Sequence, residues 1–465
     1  MNKRIVPALV LVLLVLVLAV GGMVGYYIWY QGSHVFVEDV VYDKELTSLD
    51  LRGTGVSMAH YEAVRQQLPD CEIRYDLPFQ GAFYADDTTE LTITSLTEEE
   101  ITQLDYLPNL QKVHAEGCTD YEQLLALKEH RPDCEITYTV DLYGKTYPND
   151  TKELSFGSEQ LDLQQLWEAL AWLPDMASIS FDQPTVAAEE LKALAADFAD
   201  IDIRWQKDAF GVTYGSDVTE IDLSGMYFAS LEEVERELVW FPELEKVVLC
   251  KAGTGPKEPF DDDAMAAFRE KMRPEYKVVW SVDINGLEVR TDDTYFMPAK
   301  HHKVVTNFQV QKLKYCEDMI CVDLGHMAIQ DISFVEGMPH LKYFIIVDAP
   351  LMYIDPISTC KELIYLEFFW TWLNDFTPLL ECTAMQDLNV SRTNGDPMVF
   401  KEMTWLKNLW IDGNDLTEAE KKELEAALPN TYIKYCYGLM AGNGWRDLQN
   451  YFDMRDLLGM PYNTW

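Results

Sequence analysis

Basic residues are scarce in this chain. Lys and Arg total 37 against 78 Asp and Glu, which leaves a net charge of −41 over 465 residues. A surface of that sign repels phosphate backbones, so nucleic acid is excluded as a partner. Chemistry-bearing motifs are missing as well. There is no Gly-x-Ser-x-Gly elbow and no His-Glu-x-x-His. Gly253-Thr254-Gly255-Pro256-Lys257 lacks the spacing of a phosphate loop and has proline where a donor amide is needed. His301 and His302 are adjacent and so point in different directions, with no Cys or carboxylate at ligand spacing. No metal, no cofactor and no enzymatic activity are therefore expected. No Cys precedes Cys71, which excludes a lipid-modified N-terminal cysteine.

Hydrophobic content is not lacking. Apolar residues make up 48% and aromatics 12%, too rich for an acidic disordered chain. The length suits about three domains of roughly 150 residues each, unless a repeat architecture removes that limit.

Between Ile5 and Tyr30 no charged side chain occurs. About 26 residues in a helix reach about 39 Å, enough to cross a hydrocarbon core of about 30 Å. Lys3 and Arg4 precede this run, while Glu38, Asp39, Asp43 and Glu45 follow it. The asymmetry predicts a cytoplasmic stub (1–4), a transmembrane signal anchor in the lipid bilayer (5–30) and a linker (31–44), with everything beyond exported. The result is a single-pass protein of the cell membrane. Tyr26, Tyr27, Trp29 and Tyr30 form an aromatic collar at the exit. The competing reading is a signal peptide cleaved at Ala19-Val20-Gly21.

Internal repetition is the main signal. From Met319 the pattern L-x-x-L-x-L-x-x-N-x-L restarts at Leu341, Leu363, Met385 and Leu406, a period of about 22 residues. The last copy is complete, with Leu406, Leu409, Ile411, Asn414 and Leu416. These copies resemble the short leucine-rich repeats of exported, internalin-like proteins of Gram-positive bacteria. Gln330 to Phe334, Asp355-Pro356-Ile357 and Asp375 to Leu379 match that type's short convex-side turns. Met327, Ala349, Thr371 and Thr393 depart from it, standing where the family usually carries Asn, and Gly395 breaks the apolar pattern of the fourth copy.

The first half repeats on a longer period. Pro69-Asp70-Cys71-Glu72-Ile73-Arg74-Tyr75 returns as Pro132 to Tyr138, and in degenerate form at Asp200 to Trp205, Pro274 to Trp280 and Pro429 to Tyr435. Each long unit holds two further strand patterns, such as Thr89 to Ile93 and Leu110 to Ala115, separated by acidic, capped helix starts at Thr97 and Ser230. The expected fold is α/β: a leucine-rich-repeat solenoid with a parallel sheet on its concave face and helices and turns on its convex face. Its parts are long repeats over 45–300, short repeats over 301–428 and a C-terminal cap over 429–465. The ending also resembles the tails of exported repeat proteins of gut Firmicutes.

Nine cysteines invite a disulfide framework, yet Cys316, Cys360 and Cys382 fill a slot that other copies give to Met338 and Met403. Buried thiols are the expectation there, with Cys250 and Cys321 on outward strand positions and reactive. Asp261-Asp262-Asp263 reads as a helix cap, not a calcium loop. Asn149-Asp150-Thr151 and Asn389-Val390-Ser391 match glycosylation sequons, the second on the inner sheet.

In L-x-x-L-x-L the x residues line the concave sheet. Stacking the copies gathers Tyr343, Ile345, Tyr365, Glu367, Phe369, Trp370 and Trp410 into a candidate contact surface for a protein or glycan ligand. In the alternative reading Phe369, Trp370 and Trp372 fold onto the rim or pack under the terminal cap. The favoured function is a membrane-tethered extracellular binding or adhesion module. The runner-up is a scaffold subunit of an envelope complex, and an unrecognised enzyme comes last.

Overall fold

A computed structural model describes residues 5–226, 228–250, 261–435 and 444–462. The chain divides into two compact units, 1–203 and 204–465. The glycine-rich motif at 253–257 and the stub at 1–4 lie outside the described residues.

The first unit opens with the helix Ile5–Ser33. Its stretch Val10–Ser33 has a mean hydropathy of 2.5 with none of it buried, so it is long and apolar enough to cross a membrane. The hairpin His34–Val37/Val40–Asp43 follows at once, where a linker is expected. Buried His60, on the helix Met58–Gln67, ties it down: its Nε2 meets the Tyr42 hydroxyl at 2.8 Å and its Nδ1 meets Glu38 at 2.9 Å. Parallel strands then come in short sets. Ser48–Asp50 pairs with Glu72–Arg74, and Glu90–Thr92 with Lys112–His114 and then Glu135–Thr137. Glu153–Phe156 pairs with Ser178–Asp182. In the second unit Glu220–Asp222, Lys246–Val248 and Lys277–Val279 make a similar set.

The recurring Cys-Glu-Ile segment is the closing strand of such a set. Immediately after it, the chain peels away as a hairpin with a two-residue turn. Asp76–Phe79 pairs with Ala82–Ala85, Thr139–Leu142 with Lys145–Pro148, and Ser281–Ile284 with Leu287–Arg290. The turns Gln80-Gly81, Tyr143-Gly144 and Asn285-Gly286 hold both residues at positive φ, the geometry that matches the twist of a two-residue hairpin. These hairpins are absent from the sequence reading, although Asn-Gly is the strongest local signal for one.

The second unit continues into a seven-stranded parallel ladder, Tyr295–Phe296 through Tyr432–Lys434, connected by 3₁₀ turns such as Ser333–Gly337 and Asp355–Thr359. This is leucine-rich-repeat architecture. Leu341, Phe344, Ile346, Leu363, Leu366 and Phe368 are fully buried between sheet and turns. The missing Asn positions find two substitutes. Thr371 and Thr393 donate their hydroxyls to Phe368 O and Val390 O at 2.9 and 2.7 Å, while Ala349 and Met327 pack as apolar plugs. Gly395 does not break the core. A Cβ there would come within 2.7 Å of the Phe376 ring, which is stacked on Phe400 at 4.9 Å. Asp261 caps the helix Asp262–Met272 by accepting from the Ala264 amide at 2.7 Å.

Candidate functional site

Because strand residues alternate, those between the buried leucine positions face away from the turns. Parallel register stacks Cys321, Tyr343, Tyr365, Asp387 and Asn408 in one column and Asp323, Ile345, Glu367, Asn389 and Trp410 in the next. Alternation alone leaves these columns open to a ligand. The structure covers them. Tyr343, Ile345, Tyr365, Glu367 and Trp410 are all buried, Tyr365 completely.

The cover is the end of the chain. Trp445 begins a 3₁₀ turn, Trp445–Asp447, and the helix Gln449–Leu457 follows. The helix and its C-cap residue present Tyr451, Met454 and Leu458 to the sheet, a spacing that keeps them on one helical face. Trp445 is fully buried, with its ring 4.9 Å from Tyr365 and 5.1 Å from Trp410. Its indole nitrogen donates to Glu367 Oε2 at 3.0 Å. Asn450 Nδ2 donates to Asp387 Oδ2 at 2.9 Å, and Asn408 holds the other oxygen at 2.7 Å. At the far side Lys300 Nζ donates to Leu458 O at 2.7 Å. Between helix and sheet a hollow of about 250 Å³ remains, bordered by Asp323, Glu367, Val347, Met454 and Arg455.

Burial under this segment changes the acids. Glu367 is raised to about 7, chiefly by desolvation, with the Trp445 N–H opposing the shift and neighbouring Asp323 adding to it. Asp387 is raised by burial against the pull of its two amide donors. The expectation of a reactive Cys321 is corrected here. It is fully buried beneath the segment, and desolvation lifts its thiol well above the usual range. Cys250 is buried as well.

Trp370 stands apart from this cover, whereas Phe369 packs against the cluster that Trp445 and Tyr451 help to form. After four successive ladder strands, Cys321–Asp323 to Asp387–Asn389, the chain turns a left-handed corner, at His326, Asp348, Trp370 and Arg392 with φ of 60°, 53°, 57° and 56°. Every corner amide donates to the next repeat, as Trp370 N to Ser391 O at 2.9 Å and Asp348 N to Phe369 O at 3.1 Å. Such a backbone costs a bulky residue about 1–2 kcal/mol, and the stacked hydrogen bonds hold it in place. The corner aims the side chain out: Trp370 is 53% exposed, and Trp372 two residues on is 58% exposed. Phe369 is half-buried, under the Arg392 guanidinium at 5.6 Å. Met352 and Tyr353 of the preceding repeat are also exposed.

No family model and no curated protein matches the chain. Solved structures do. An internalin of Listeria monocytogenes is 13% identical, with 86% of this chain and 91% of its own length covered and a TM-score of 0.27. Internalin C2 of the same species is 14% identical over 50% of this chain and 88% of that one, with a TM-score of 0.27. A leucine-rich-repeat protein of Leptospira interrogans is 14% identical over 74% and 93%, with a TM-score of 0.28. The fold assignment rests on the ladder's own register and burial.

Proposed function

We propose that this chain is a membrane-tethered leucine-rich-repeat module, displayed outside the cell, that binds a protein and performs no catalysis. The helix Ile5–Ser33 supplies the tether, and the charge pattern around it supports a cytoplasmic N-terminus. The observation that carries the binding role is the corner ridge, where Trp370 and Trp372 are exposed indoles on a hydrogen-bonded corner. Rigid aromatic anchors beside charges, here Asp348 and Arg392, are what interface hot spots are made of. A glycan is the other ligand class that such flat aromatic faces suit.

The test has two arms. Protease shaving of intact cells should remove the repeats, and their protection would overturn the topology. Replacing Trp370 and Trp372 together by Ala should abolish capture of the cell-surface ligand while leaving the melting curve in place. Capture that survives the double replacement removes the ridge as the contact.

A further inference from the structure

An open repeat ladder needs its last strand covered, because that edge and its apolar face are otherwise bare. The last strand here is Tyr432–Lys434. Residues 444–462 do something different: they run back across the face of the ladder as far as Cys321 and Lys300. What they cover is not built as a permanent interior. Glu367 and Asp387 are carboxylates in the middle of the contact, each met by one donor from the segment, the Trp445 indole and the Asn450 amide. Burying a carboxylate is unfavourable compared with an apolar residue of similar size. Packing beneath the segment is also incomplete, given the hollow of about 250 Å³ and the Trp410 indole N–H, buried with no hydrogen-bond partner among the described residues.

We propose that this face of the ladder is a receptor groove for an amphipathic helix of a protein partner, one that carries an indole and basic residues. Residues 444–462 occupy the groove in cis as a removable stand-in. The stand-in sets the partner's chemistry: an indole for the slot between Tyr365 and Trp410 with its N–H on Glu367, a carboxamide or cation on Asp387, and apolar residues along one helical face against Tyr343 and Ile345. Asp323, Glu367 and Asp387 on the face, in a chain of net charge −41, select for a basic helix. The groove is a separate surface from the corner ridge and does not depend on it.

The buried thiols report the release. Cys321 lies under the segment, whereas Cys360 and Cys382 lie inside the ladder. In the full-length protein carrying Trp445→Ala and Asn450→Ala, alkylation of Cys321 should quicken at least tenfold with Cys360 and Cys382 still protected. A labelled synthetic peptide of residues 444–462 should then bind this variant at least tenfold more tightly than it binds the unaltered protein, and the same peptide with Trp445→Ala should not bind. Three outcomes overturn the proposal: Cys321 remains protected, Cys321 opens only together with Cys360 and Cys382, or Cys321 opens alone and the peptide does not bind.

Discussion

The guanidinium of Arg392 sits 5.5 Å from the ring of Trp370, one repeat away in the stack, and both residues occupy left-handed corners. The tryptophan is therefore held at the surface by backbone hydrogen bonds and one cationic neighbour, with its ring largely in solvent. Trp370→Ala should change stability by no more than about 0.5–1 kcal/mol, the scale of an exposed cation–π contact. Leu366→Ala, fully buried in the same repeat, should cost about 2–5 kcal/mol. Thermal melts of the two variants check this. Equal destabilisation would show that Trp370 is core.

Gly395 and Gly144 should fail for opposite reasons. At Gly395 an added methyl meets the Phe376 ring at 2.7 Å, so Gly395→Ala must displace a stacked aromatic pair and should cost about 1–3 kcal/mol. Denaturant midpoints measure it, and a neutral substitution would mean that the pair has room to move.

At Gly144 nothing lies within 4 Å of the added methyl, but φ is +72°. Gly144→Ala should then cost about 1 kcal/mol through backbone strain alone. Gly144→Asn, which tolerates this region, should recover part of the loss in the same denaturant assay. No recovery would point away from the left-handed turn as the cause.

Stability should fall as pH rises through the range set by Glu367. Its folded-state value, about 7, lies above its ordinary 4.5, so the folded chain holds this proton more tightly than the unfolded chain does. The contribution is full below about 4.5, is lost as pH rises to about 7, and is flat above that, for a total on the order of 3 kcal/mol. Urea midpoints from pH 4.5 to 8 should show the decline, and Glu367→Gln should flatten that part of it. A midpoint that climbs across this window in the unaltered protein would contradict the assignment.

The short repeats are legible in the sequence because their apolar slots are tied to one periodicity, and Leu341, Leu363 and Leu406 obey it. Gly395 misleads because its reason is a single neighbouring ring, which periodicity does not encode. The hairpins carried a visible signal in Asn285-Gly286, masked at Gln80-Gly81 and Tyr143-Gly144 by a first turn residue that seldom adopts positive φ. The face of the ladder is where local reasoning stops. Alternation correctly sends Tyr343, Tyr365 and Trp410 to one side of the sheet, but whether that side meets water is decided by Trp445, 78 residues beyond Glu367. The stripe Tyr451, Met454, Leu458 announces a helix with an apolar face. It does not say what that face covers.

Covalent continuity gives the groove a threshold. Ladder and segment belong to one chain, so the segment competes intramolecularly, at a local concentration on the order of millimolar however dilute the protein. A free helix in the micromolar range must therefore bind about a thousandfold more tightly than the tethered one to displace it. A helix concentrated beside the ladder, on the same membrane or on an apposed cell, escapes most of that handicap. The geometry thus favours partners that arrive already confined to a surface over those that diffuse in solution.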